Sequence, residues 1–152
     1  LKAHNLMSYS WGSEHYRFLR PEHRSVLMLH ELERTQKGSI IFVPVDLTGR
    51  HTGVSALDAR RRFADNEFGL GAFEGGCWLL SQRKSIPSWG LKLMYIGDTY
   101  NPGPGSDSKS VPAFKSEEHD QKLKGKIYFG RRHVEEVDKS HKWQVPTGFV
   151  PQ

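Results

Sequence analysis

The sequence predicts an α+β fold: a single domain over residues 1–152 built on a mostly antiparallel, twisted sheet of about five to seven short strands, with one main helix and a long Gly/Pro-rich loop. Three observations carry this expectation. Residues 122–133 alternate with a period of two; residues 55–64 repeat with helical spacing behind a capping serine; and the apolar runs at 40–45 and 77–80 have strand length and are set off by glycine and proline. With 152 residues, 36% hydrophobic and 26% charged, the chain is long enough for a real core without disulfide or metal staples.

Taken in order, residues 13–20 read as a short strand with Tyr16 and Phe18 on one side, ended by Pro21. Residues 24–35 admit two readings. Val26, Leu29 and Leu32 make a helical stripe, but the same stretch also reads as the first arm of a hairpin closed at Lys37-Gly38, with residues 39–45 returning. The β-branched and aromatic residues of the second arm favour the hairpin. Pro44 lacks a ladder donor, so that arm is expected at an edge or an end. Ser55 caps the main helix, Asp58 stands three residues later, and Ala56, Ala59 and Phe63 share its apolar face. Gly69, Gly71, Gly75 and Gly76 break regularity before an expected core strand at 77–81, and a further strand is expected at 90–96. Residues 98–116 carry Asn101-Pro-Gly-Pro-Gly-Ser and no period, which reads as one irregular loop; a polar helical turn at 116–122 and a last strand at 143–150 complete the chain.

The formal charge is +5, from 22 basic and 17 acidic residues, an excess that favours phosphate-rich partners without demanding one. Cys77 is the single cysteine, so an internal disulfide and a multi-cysteine metal site are excluded. Its apolar neighbours predict a buried, inert thiol. With no apolar signal core at the start and no run near the roughly 18 apolar residues of a membrane span, the expectation is a cytoplasmic protein with no membrane partner.

The stretch at 122–133 carries the functional expectation. In a strand, Lys122, Lys124, Lys126, Tyr128 and Arg132 leave one face while Leu123, Ile127 and Phe129 leave the other. Cations two residues apart lie about 6.6 Å apart, comparable to backbone phosphate spacing. The expected function is therefore nucleic-acid binding, DNA or RNA, without catalysis. Lys122, Lys124, Lys126, Arg131 and Arg132 would grip the backbone, Arg60, Arg61 and Arg62 would assist, and Tyr128 would stack on a base. Over five residues, Lys126-Ile-Tyr-Phe-Gly130 resembles one of the two short strand motifs of RNA-recognition domains; the second motif is missing. The plainer readings are lysines guarding a sheet edge against aggregation and three arginines on a solvated helix face, pairing with Asp58 or Asp65.

Two other classes compete. His133 and His141, flanked by Arg131, Arg132, Lys139 and Lys142, supply material for a small metal-independent ribonuclease or toxin-like phosphodiesterase. The acid-x-lysine spacings Asp107-Ser-Lys109 and Asp120-Gln-Lys122 occur at chance frequency and support no metal nuclease. His51-Thr-Gly53 with the later Phe68-Gly-Leu-Gly resembles the nicotinamide-binding elements of mono-ADP-ribosyltransferases, although the spacing is short and no C-terminal glutamate fits; glycine-rich turns explain it as well. No nucleophile elbow, phosphate loop or zinc signature is present, and no cofactor is implied. The third class is a protein–protein module using the 98–116 loop and exposed aromatics. Phe73 and Trp78 are expected in the core, and Trp11, Trp89, Tyr100 and Trp143 half-buried.

Overall fold

A computed structural model describes residues 7–9, 19–47, 50–81, 92–100, 109–116, 127–135 and 143–151. The elements run β1 (Met7–Tyr9), β2 (Leu19–Pro21), α1 (His23–Thr35), β3 (Val45–Asp46), α2 (Ala56–Arg61), β4 (Glu67–Gly69), α3 (Ala72–Ser81), β5 (Lys92–Met94), β6 (Asp98–Tyr100), β7 (Ser110–Ser116), β8 (Ile127–His133) and β9 (Thr147–Phe149). Six strands form one sheet in the order β1-β8-β7-β6-β2, with β5 also on β7; β3-β9-β4 form a second. Among the described strands every pairing is antiparallel except β1 with β8, and Gln144 adds an isolated parallel bridge to Leu93 of β5. The architecture is α+β, antiparallel sheets of short strands with few helices.

The larger sheet contributes to an apolar cluster on each face, and alternation along its strands decides which residues go where. Leu93, Phe114, Phe129 and Ile127 point to a core completed by Leu32 of α1, Leu79 of α3 and Phe68 of β4. Met94, Ala113 and Val111 point the other way, beneath Ala56 and Ala59 of α2 and the segment carrying Trp143 and Val145. The period of two in the sequence is thus met along β8, where Ile127 and Phe129 are buried and Tyr128 is half-exposed.

Several expectations are corrected. Residues 24–35 form helix rather than a hairpin arm, because the Glu22 carboxylate accepts the Arg24 and Ser25 N–H groups and starts α1. Helix also lets Ser25 and Leu32 face inward together, and the Ser25 hydroxyl donates to the Gly69 carbonyl at 2.8 Å. Of the expected return arm only Val45–Asp46 pairs, on β9, at the edge of the small sheet and directly after Pro44. Residues 77–81 belong to α3, not to a strand. The glycines that suggested a break serve contact instead: a Cβ on Gly75 would land on the buried Tyr95 ring, so glycine lets the helix sit directly on the sheet. Helical phase turns Cys77 and Phe73 outward, Phe73 with 79% of its surface exposed, against the expected burial of both. Finally, 98–116 is not wholly irregular, since β6 and β7 occupy its two ends; residues 101–108 lie outside the described residues, as do residues 117–122 of the helical turn expected at 116–122, whose Ser116 instead ends β7, and the start of the 122–133 strand. The helix read at residue 55 is present and capped, Ser55 Oγ accepting the Asp58 N–H at 3.1 Å, but α1 is the longer helix.

Gly69 and Gly97 bring two turns into backbone contact. A Cβ on either would collide with the other strand's backbone, and Gly97 N–H donates to the Leu70 carbonyl at 2.8 Å. This crossing sets the start of β6 against the start of α3.

Candidate nucleic-acid interface

Register across the large sheet assembles the basic face. Lys92 of β5 stands opposite Lys115 of β7, and Lys115 stands opposite Tyr128 of β8, which in turn pairs with Ser8 of β1. Residues in register share a face, so the two lysines and the tyrosine form one row across the strands, about 4.8 Å per step. The Lys115 ammonium lies over the Tyr128 ring, 6.0 Å from its centre. Arg132 continues this face along β8 and sits over the buried Trp143 ring at 5.0 Å. Neither lysine of the row was among the residues singled out from sequence; only pairing with β8 brings them to Tyr128.

The other predicted residues divide. Arg131 leaves the opposite face of β8, as alternation requires, and lies 5.2 Å over the Tyr100 ring. Tyr100 and Trp143, expected half-buried, are both buried beneath these guanidinium groups. Lys122, Lys124, Lys126 and His141 lie outside the described residues. His133 is exposed at the end of β8, where its Nδ1 accepts the Glu135 N–H at 3.3 Å.

Helix α2 packs on the same side of the sheet as the lysine row. Its three arginines do different things. Arg60 is turned inward: it donates to the Ile96 carbonyl at 2.9 and 2.7 Å, to the Asp98 carbonyl at 3.1 Å and to Thr99 Oγ1 at 3.0 Å. It is a strut between α2 and β6, and those bonds remove it from the proposed phosphate contacts. Burial lowers its pKa, opposed by the Glu22 and Asp98 carboxylates. Arg61 is exposed and approaches Asp58 at 3.5 Å, and Arg62 is exposed at the helix end.

Two acidic nodes, one buried and one half-buried, escaped sequence reasoning. Glu67, 1% exposed, meets His51 Nε2 at 2.8 Å through Oε1; its Oε2 accepts the Ala64 N–H at 3.1 Å and lies 3.6 Å from Arg50. Phe63 closes the site, edge-on to the His51 ring at 5.3 Å, and Arg24 reaches the Glu67, Ala64 and Asp65 carbonyls from α1. Burial alone would raise the Glu67 carboxyl, but the Ala64 N–H and His51 outweigh it and hold the group below the usual range.

The second node lies at the start of α3. Glu74 Oε2 and Asp98 Oδ2 come within 2.6 and 2.8 Å of one point, where a Cβ on Gly71 would stand, and Asp98 Oδ2 accepts the Ala72 N–H at 2.6 Å. Burial pushes both carboxyls up; the Asp98 charge pushes Glu74 further, while the Ala72 N–H and Arg60 pull Asp98 part of the way back. Among the described residues no group of three or more His, Cys, Asp or Glu side chains could hold a metal ion, and no helix is long and apolar enough to cross a membrane.

Comparison of the chain with protein-family models, with curated proteins and with solved structures returns no match.

Proposed function

We propose that the protein binds the sugar-phosphate backbone of nucleic acids on the face of the larger sheet that carries Lys92, Lys115, Tyr128 and Arg132. The observation that supports this reading is the cross-strand row itself: two ammonium groups and a ring in register on one face, with Arg132 on the same side. Lys122, Lys124 and Lys126, which the sequence analysis assigns to the same contact, lie outside the described residues. Helix α2, which packs on this side through Ala56 and Ala59, carries the exposed Arg61 and ends at the exposed Arg62. A net charge of +5 brings polyanions toward the protein.

Binding of a labelled single-stranded oligonucleotide, measured by anisotropy across a salt series, tests the reading. The expected affinity falls steeply with salt, with a log–log slope of about −0.7 for each phosphate contacted. Lys115→Glu and Lys92→Glu each weaken binding about tenfold or more at low salt and flatten the slope. Affinity untouched by both reversals would remove this face from the reaction.

A further inference from the structure

Resting on that reading, we infer that the ligand's sugar-phosphate backbone is seated directly on β8 at Gly130, between Tyr128 and Arg132. A glycine inside a strand costs stability, because it has the most chain freedom to lose and no side chain to pack. Elsewhere in this chain the fold gives the reason for that cost. Gly38 and Gly53 stand at φ of 146° and 77°, where a side chain is strained. A Cβ on Gly69 or Gly97 would strike the backbone of the other turn, on Gly75 the Tyr95 ring, and on Gly148 the Phe68 ring.

Gly130 has no such reason. It stands in the middle of β8, its φ is not positive, and a Cβ there meets no atom of the described residues within 4 Å. The residue is half-exposed, so this open space borders water. Alternation puts Gly130 on the same face as Tyr128 and Arg132, one step along β8 from the row of Lys115 and Tyr128. Tyr128 and Arg132 stand about 13 Å apart along the strand, and the missing side chain leaves a notch between them. Ala113, opposite Gly130 in β7, is buried in the cluster with Ala56 and Ala59 of α2, so the notch lies where the cover of that helix ends. A bare strand position of this kind lets another backbone approach closely. The fold gains nothing from the glycine; a ligand lying against the strand does.

Gly130→Ala, Gly130→Val and Gly130→Leu test the seat without changing any charge. Each is expected to keep or raise the thermal midpoint, since a side chain enters open space on a strand. Binding of the labelled single-stranded oligonucleotide at one low salt concentration is expected to weaken as the side chain grows, by about fivefold or more for leucine. Parental affinity in a folded Gly130→Leu variant overturns the seat while leaving backbone binding in place. A lowered midpoint in Gly130→Ala also overturns it, because the fold itself would then require the glycine. Should the larger variants not fold, Gly130→Ala decides alone: weaker binding at an unchanged midpoint supports the seat, and parental binding overturns it. A parent that sediments as a dimer without nucleic acid, beside a monomeric Gly130→Leu variant, assigns the notch to a second copy of the chain and overturns the inference. Failure of the parent to bind the oligonucleotide at low salt overturns the backbone reading and this inference together.

Discussion

Glu67 is buried and the Glu74–Asp98 pair half-buried, and their acidities move in opposite directions. Glu67 is surrounded by donors on both oxygens, from His51, the Ala64 backbone and, at longer range, Arg50. Glu74 and Asp98 approach one small space: the Asp98 charge adds to burial in pushing Glu74 up against the Gly71 and Glu74 backbone N–H groups, while the Ala72 N–H and Arg60 oppose burial at Asp98. Burial enters both cases with the same sign. What differs is whether hydrogen bonds and neighbouring charge outweigh the cost of burial, and that balance decides whether such an acid stays ionised. The first node is a cross-brace that ties β4 to the 50–53 turn and to α1; the second is a place where protonation relieves the fold.

The largest effect is expected from removing the charge at the braced node. Glu67→Gln leaves His51 and Arg50 without their carboxylate and should destabilise the protein by about 3–5 kcal/mol in denaturant unfolding, the cost of breaking a buried pair from one side. Next comes Arg60→Met, which strips hydrogen bonds from the Ile96 and Asp98 carbonyls and should cost about 2–3 kcal/mol. It should also raise the Asp98 carboxyl further, seen by NMR titration.

The pH dependence separates the two nodes by sign. Because the folded Glu67 is more acidic than an ordinary glutamate, its contribution is full above the ordinary range and is lost as pH falls through that range to its lowered value. Glu74 and Asp98 are less acidic when folded, so their contribution is full below the ordinary carboxylate range and is lost as pH rises through their raised values. Unfolding free energies measured from pH 3 to 8 should therefore show Glu67→Gln losing most at neutral pH and converging on the parent in acid. The smallest effect belongs to Glu74→Gln, expected within about 1 kcal/mol of the parent and on the stabilising side at neutral pH, an advantage that fades toward pH 4. A large loss at neutral pH in that variant would show that Glu74 is braced like Glu67.

The parts of this molecule that could be read in advance are those written in short-range pattern. Alternation along 127–129 gave the correct inward residues of β8, and Ser55 with Asp58 marked a real helix start. The fold class followed from such pieces. Residues 24–35 carried both periods at once, and the deciding contact, the Glu22 carboxylate on the first turn of α1, depends on a side chain outside the stretch. Helix α3 was hidden because its glycines answer to Tyr95, some twenty residues downstream, rather than to local propensity. Lys92 and Lys115 could not be joined to Tyr128 without the strand register, and His51 with Glu67 only through the packing of a turn on β4. One clue to the latter was legible: Glu67 is the charged member of the short run Glu67-Phe-Gly69, and every residue of that run is buried.

Residues 39–43 present Ile40, Ile41 and Phe42 to water, with Phe42 73% exposed, beside a strand edge. The Gln36 side-chain amide donates to the Phe42 carbonyl and accepts the Phe42 N–H, both at 2.7 Å, and so occupies the two groups through which a neighbouring chain would begin to pair. By closing both backbone groups of Phe42, the neutral Gln36 amide is expected to hold back self-association at this edge. Trimming it to alanine would leave an oily ribbon with open backbone valences, and turbidity on standing would be the first sign.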